Sequence, residues 1–321
     1  KLRKQHKILC TSRKYEQVNG IKKFGSINPI IIGKHGGKDD INKLLASLDR
    51  SKLLARKIEK ARPELLVSFC SPEASRVAFG LGIPHIAFSD SPHAKAVMRL
   101  SLPYTAKLLT PWIIPKSDFK GFGIDYKNII RYKAIDAGII IKNYQKNKQK
   151  KLNRRKIILI RPEESEAAYI TKKSKTVKII KKIVEKFPHE QKIVLSRYKE
   201  QTNELNKMFG KSICVLSKPV NGKELLNGVD CFVGSGGTMT AEAGLLGIPT
   251  ISLNVVPNRI EDFLVKNKII IRSENPDMVS KEVFQSLNNI NIIKKRKQNT
   301  KKLIASFEDP YQVLLRTIRS L

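Results

Sequence analysis

Short apolar runs alternate along this chain with longer stretches whose apolar positions recur every three to four residues. In the first half the runs 6–12, 29–32, 65–70, 85–89 and 107–114 read as strands, and 43–61, 73–81 and 93–102 as helices. The second half repeats the plan, with strands at 156–160, 191–196, 212–216, 231–233 and 250–253 between helices at 174–187, 200–208, 222–226 and 238–246. Strands that alternate with helices form parallel sheets covered on both faces. The pattern therefore predicts an α/β protein of two doubly wound, Rossmann-like domains facing across a cleft, with ligands at the carboxyl edges of the strands. We place the domains at 1–145 and 157–321, joined by a basic connection at 146–156. A last helix near 311–320, after Asp309-Pro310, is expected to pack back on the first domain.

Composition narrows the picture. With 321 residues, 41% of them hydrophobic, the chain has material for two packed cores and is not intrinsically disordered. No apolar run approaches the roughly 20 residues that span a bilayer. The formal net charge of +34 suits an anionic partner, either nucleic acid or an anionic membrane face. Lysines outnumber arginines 45 to 17, however, and base-edge recognition favours the Arg fork, so no specific nucleic acid is expected. Much of the charge also reads as a solvated face. Cys10, Cys70, Cys214 and Cys231 form no C-x-x-C pair and sit mostly in apolar runs, which suits buried free thiols in a reducing, cytoplasmic compartment. A peripheral position at the inner membrane face is compatible with the basic surface.

The densest chemistry lies at 230–250. The run Cys231–Val233 leads into Gly234-Ser235-Gly236-Gly237-Thr238, where a helix begins. Glycines let backbone N–H groups approach an anion, and the helix N-terminus adds partial positive charge, so Ser235, Gly236, Gly237 and Thr238 form a candidate diphosphate cradle. The spacing is neither G-x-G-x-x-G nor a Walker A loop. Glu242, one turn into the helix, can accept the two hydroxyls of a ribose. An ordinary strand–turn–helix with a surface Glu is the alternative.

The spacing Ser-Gly-Gly-x-x-x-x-Glu at Ser235, Gly236, Gly237 and Glu242 resembles the donor-nucleotide motif of GT-B glycosyltransferases. The non-hydrolysing UDP-N-acetylglucosamine 2-epimerases have a similar turn, with their acidic residue one position earlier, at what is Ala241 here. Over nearly its whole length the chain is similar to the largely archaeal family called domain of unknown function 354, described as predicted glycosyltransferases. The segments that carry the likeness are Arg13-Lys14-Tyr15-Glu16-Gln17-Val18-Asn19, Gly33-Lys34-His35-Gly36-Gly37-Lys38, Ser71-Pro72-Glu73-Ala74-Ser75-Arg76-Val77-Ala78, Arg161-Pro162-Glu163, Lys218-Pro219-Val220 and the glycine turn. The resemblance implies a GT-B-like fold and a nucleotide-diphosphate sugar as donor substrate, with no tightly bound cofactor. It also implies one further strand and loop ahead of the first strand read here.

Other candidates follow strands. Arg161 and Arg197 are placed to clamp a diphosphate, and Lys218 to wall the base. Asp90 and His93, one turn apart after 85–89, form a candidate acid–base pair, with an N-cap and an incidental His as the alternative. By resemblance to the epimerases, Asp90 falls near one of their catalytic carboxylates. His35, on a basic glycine loop, is a second candidate base. Glu73 is a candidate substrate ligand, although a first-turn Glu is already favoured by the helix dipole. His6, His85 and His189 are expected to be structural. No D-x-D or H-E-x-x-H pattern occurs, so no tightly bound metal is predicted. The leading expectation is transfer of a hexosyl or N-acetylhexosaminyl group to an unidentified acceptor, a lipid-linked one included. The alternatives are a nucleotide-sugar 2-epimerase and a non-enzymatic polyanion- or membrane-surface-binding protein.

Overall fold

Strand after strand pairs in parallel in the computed structural model, which describes residues 6–14, 28–37, 39–142, 155–163, 173–196, 199–217, 220–253 and 256–321. The chain divides into two compact units, Lys1–Tyr132 with Pro310–Leu321, and Lys133–Asp309. The division falls at Tyr132–Lys133 because helix Asp136–Lys142 belongs to the second unit, where Lys142 Nζ donates to Phe307 O at 2.9 Å. Of the expected connection at 146–156, residues 146–154 lie outside the described residues. Helix Pro310–Arg319 groups with the first unit.

In the first unit, β1 (Thr11–Lys14) pairs with β2 (Ile30–Lys34), while β3 (Leu66–Ser68), β4 (His85–Phe88), β5 (Lys107–Pro111) and β6 (Ile129–Tyr132) form a four-stranded sheet in that order. The apolar pattern had not marked β6. Helix Asp40–Ala61 begins three residues before its expected start because Asp39 caps it, accepting from the Asn42 N–H. It ends where Arg62 turns left-handed at φ 44° ahead of Pro63. Its buried positions, Ala46, Arg50, Leu54 and Ile58, recur every four residues and form one face. Arg50 sits on that face because its guanidinium donates to Ile32 O.

In the second unit β7 (Ile157–Arg161), β8 (Gln191–Leu195), β9 (Cys214–Leu216), β10 (Cys231–Gly234), β11 (Thr250–Ser252) and β12 (Ile271–Arg272) form one parallel sheet, ordered β12-β11-β10-β7-β8-β9. Both faces are covered, so the middles of the central strands are apolar, with Ile158, Leu159, Ile160, Val194, Phe232, Val233 and Ile251 buried. Ile158, Ile160, Val194, Val233 and Ile251 pack with Ile179, Ile183, Val279 and Val283 in one core. Leu159, Ile193, Leu195 and Phe232 pack with Leu226, Ala243 and Ile248 in another. The order runs outward from β7 in opposite directions, through β8 to β9 and through β10 to β12. The switch point therefore lies between β7 and β10, where Arg161 is in register with Gly234.

Candidate functional site

All four residues of β10 are buried, which brings the chain to the carboxyl edge of the sheet at Gly234. There the Ser235 N–H donates to Arg161 O at 3.0 Å, tying the turn to the end of β7. Gly236 and Gly237 then take φ of 110° and 79°, conformations that a side chain resists. Helix Thr238–Leu245 follows, and its N-cap, Gly237, supplies no capping side chain. The first-turn amides are thus left to solvent or to a ligand, and the dipole at that end favours an anion. Gly237 and Thr238 are exposed, Ser235 and Gly236 half-buried, and Glu242 stands half-buried in the second turn.

A carboxyl that sequence reasoning missed lies beneath this turn. Glu261, in helix Arg259–Lys266, is 3% exposed. Ser252 Oγ from β11 donates to its Oε1, and Arg272 Nε from β12 stands 3.5 Å from the same oxygen. Oε2 is buried without a hydrogen-bond partner. It points at the turn, since a Cβ added to Gly236 would stand 2.9 Å from it. Burial pushes the carboxyl above its ordinary pKa, against the pull of the Ser252 hydroxyl and Arg272 and with a push from Asp262. The sequence signal would have misled: Asn258-x-x-Glu261 reads as a capping box, in which the Glu turns back to the cap. Asn258 does cap the helix, accepting from the Glu261 N–H at 2.9 Å, but the carboxyl goes to Ser252.

The basic candidates fare differently. Arg161 closes β7, and its Nη1 donates to Leu195 O at 2.8 Å and Ser196 O at 3.2 Å. Its guanidinium braces the carboxyl ends of two strands, a task that a strand-end Arg does not disclose in sequence. Arg197 and Lys218 lie outside the described residues. Glu163 is buried, accepting from the Thr176 hydroxyl.

In the first unit Glu73 is 5% exposed and well partnered: Ser71 Oγ donates to it at 2.9 Å, Ser47 Oγ at 3.3 Å, and Arg13 stands 3.7 Å away. It does more than favour a helix dipole, because its partners come from three separate segments. Asp90 is half-buried and accepts from Ser91 Oγ at 2.7 Å. His93 is exposed, and among the described residues no hydrogen bond joins it to Asp90. The helix expected from residue 93 starts at Lys95, because Ser91-Pro92-His93 forms a turn closed by the Ala94 N–H on Ser91 O, so the one-turn spacing of Asp90 and His93 does not hold. His35 is exposed, and its Nδ1 accepts from the Gly37 N–H at 3.0 Å, which puts the proton of the neutral ring on Nε2. His85 is buried between Ser68 and Thr105, and burial pushes it down to about 4, in keeping with a structural role. Burial pushes the thiols of Cys70 and Cys231 up to about 12, which excludes both as ready thiolates. Cys214 is exposed and Cys10 half-buried, against the expectation of buried thiols, because Cys214 opens the edge strand β9. Among the described residues no cluster of three His, Cys, Asp or Glu stands together as metal ligands, and no helix is long and apolar enough to cross a membrane.

Comparison with known proteins sets this geometry in context. A family model described as protein of unknown function (DUF354) matches residues 3–320. An uncharacterised protein of Methanocaldococcus jannaschii is 30% identical over 240 residues, which is 69% of this chain and 66% of that protein, just under two thirds of the relative's length. Among solved structures, UDP-GlcNAc 2-epimerase from Neisseria meningitidis, bound to UDP-GlcNAc, superposes with a TM-score of 0.71 at 13% identity, covering 97% of this chain and 91% of that one. A spinosyn rhamnosyltransferase superposes with a TM-score of 0.51 at 14% identity, covering 86% and 77%. These likenesses show the fold, which is α/β and GT-B-like.

Proposed function

The chain belongs to the DUF354 family, and from that membership and the glycine turn we propose that it is a GT-B-type transferase, moving a sugar from a nucleotide-diphosphate donor to an acceptor. The observation that carries this reading is the uncapped helix Thr238–Leu245, entered through Gly236 and Gly237 at the switch point of the six-stranded sheet. Amides at a helix N-terminus hold phosphate, and a switch point is where parallel sheets bind ligands. In this reading the amides of Gly236, Gly237 and Thr238 hold the diphosphate, Ser235 shapes the turn, and Glu242 takes the ribose hydroxyls. Arg161 sets the height of the turn through its bracing of β7 and β8, while Arg197 and Lys218, which lie outside the described residues, are assigned to the diphosphate and the base from their places in the sequence. An acceptor oxygen attacks the anomeric carbon, the bond to the diphosphate breaks, and the acceptor proton passes to Asp90, or to His93 or His35. Glu73, which ties Arg13 of β1 and Ser47 of helix Asp40–Ala61 to the start of its own helix, is assigned to substrate on the acceptor side. The fold relatives named for UDP-GlcNAc and for rhamnosyl transfer support a nucleotide sugar as the donor class.

The test is thermal stabilisation by UDP, GDP, CDP and dTDP and their sugars, on the chain and on Glu242→Ala. A ligand at a hundredfold excess over its dissociation constant stabilises by about 2.7 kcal/mol. A base-selective shift that Glu242→Ala loses supports the site, and no shift with any nucleotide overturns it. Product analysis then separates transfer, which frees the nucleotide only when an acceptor is supplied, from epimerisation, which interconverts two nucleotide sugars without one.

A further inference from the structure

The glycine turn and a buried carboxyl occupy one place in the second unit. Glu261 is 3% exposed, its Oε1 is taken by Ser252 and faces Arg272, and its Oε2 faces Gly236 with no partner. An ionised carboxylate with one desolvated, unpartnered oxygen is costly. An anion on the adjacent amides adds like-charge repulsion. The neutral acid removes both penalties and gives Oε2 a proton to donate.

We propose that anion binding at this turn is linked to a proton on Glu261, so that the protein with the neutral carboxyl is the form that takes up a nucleotide diphosphate. The proposal rests on the reading of the turn as a nucleotide-sugar site and adds its pH control. Among the described residues three groups bear on the carboxyl: Arg272 from β12 and the Ser252 hydroxyl from β11 favour its ionised form, and Asp262 on its own helix opposes it. The turn contributes backbone and no titratable side chain. Burial is the largest influence and raises the pKa. Because linkage is reciprocal, a bound diphosphate raises it further, and a proton is taken up on binding at any pH between the two values.

The probe is UDP-GlcNAc, whose diphosphate diester does not itself titrate near neutral pH. Calorimetric titrations across a pH series, in buffers of different ionisation enthalpy, count protons directly. We expect up to one proton taken up per UDP-GlcNAc and a dissociation constant that rises by up to about tenfold per pH unit above the carboxyl's pKa. Glu261→Gln keeps an acceptor for Ser252 and places an N–H donor at Oε2, so it should bind with a flat pH profile near the acid-side affinity of the parent and take up no proton. Parent binding without proton uptake overturns the linkage while leaving the nucleotide site intact. Proton uptake that persists in Glu261→Gln assigns the proton elsewhere and overturns it equally. Where another nucleotide sugar of the panel above binds and UDP-GlcNAc does not, the same titration is made with that one; failure of the folded parent to bind any of them at any pH overturns the nucleotide-sugar reading and this inference with it. The proton count is made on the parent chain and does not depend on the variant folding.

Discussion

Gly236→Ala tests the contact between the glycine turn and Glu261 most sharply. The substitution has two costs that the structure separates. At φ 110° an alanine is strained, worth about 1–3 kcal/mol. Its Cβ would also stand 2.9 Å from Glu261 Oε2, so the buried carboxyl must shift and weaken its bond from Ser252, at about 1–3 kcal/mol more. The expected destabilisation is about 2–6 kcal/mol. Gly237→Ala is the control, because at φ 79° it has open space where the Cβ would go and carries only the strain. Gly236→Ala in a Glu261→Ala background should likewise fall to the strain alone, giving a coupling energy of about 1–3 kcal/mol in a double-mutant cycle. Urea unfolding followed by far-UV circular dichroism measures these costs. Fluorescence of the single tryptophan, Trp112, reports the first unit and serves as an internal reference. Equal costs for the two glycines, or a cost for Gly236→Ala unchanged when Glu261 is truncated, would refute the argument.

Two further predictions concern the buried titratable groups. His85 has its pKa depressed from 6.5 to about 4, so the folded state favours the neutral ring. Stability is full above about pH 6.5 and declines as the pH falls toward 4, by about 3 kcal/mol for the first unit. Trp112 fluorescence during urea unfolding at several pH values would show this slope, and a His85→Gln variant that keeps the same slope would assign it to another group. In the native protein Ellman's reagent should modify Cys214 at once, Cys10 more slowly, and Cys70 and Cys231 only on unfolding. Four fast thiols in a protein that remains folded would contradict the burial described here.

The residues that depend on local pattern were legible in the chain. Continuous apolar runs between periodic stretches located nine of the strands, because a strand of a parallel sheet is buried on both faces and its composition says so, while β1, Thr11–Lys14, shares only residues 11 and 12 with the run expected at 6–12. The glycine turn could be read because glycine is what a positive φ demands. The two-residue β12 escaped because it is too short to stand out, and β6 because Arg131 interrupts its apolar residues between Asn128 and Lys133. Asp90 and His93 are close in sequence, but whether three residues make a helical turn depends on how Ser91-Pro92-His93 satisfies its own backbone, and it closes a separate turn.

Glu261 marks the limit most clearly. Its neighbours Ser252, Arg272 and Gly236 lie 9, 11 and 25 residues away in the chain. They meet because β10, β11 and β12 end side by side at one sheet edge. Locally Glu261 is a third-position acid in a capped helix, and short-range physics assigns it to the cap. Strand order, which no local signal encodes, decides instead that it faces a glycine turn. Arg161 is similar: the chain shows a cation at a strand end, and only the parallel pairing with β8 supplies the carbonyls that hold it. The sequence by itself thus determined the elements, the kind of sheet and the anion-ready turn, all of which follow from backbone conformation and periodic burial. Tertiary structure alone decided which polar side chains are held, desolvated and aimed, because those properties depend on atoms that the chain brings together only after its strands are ordered.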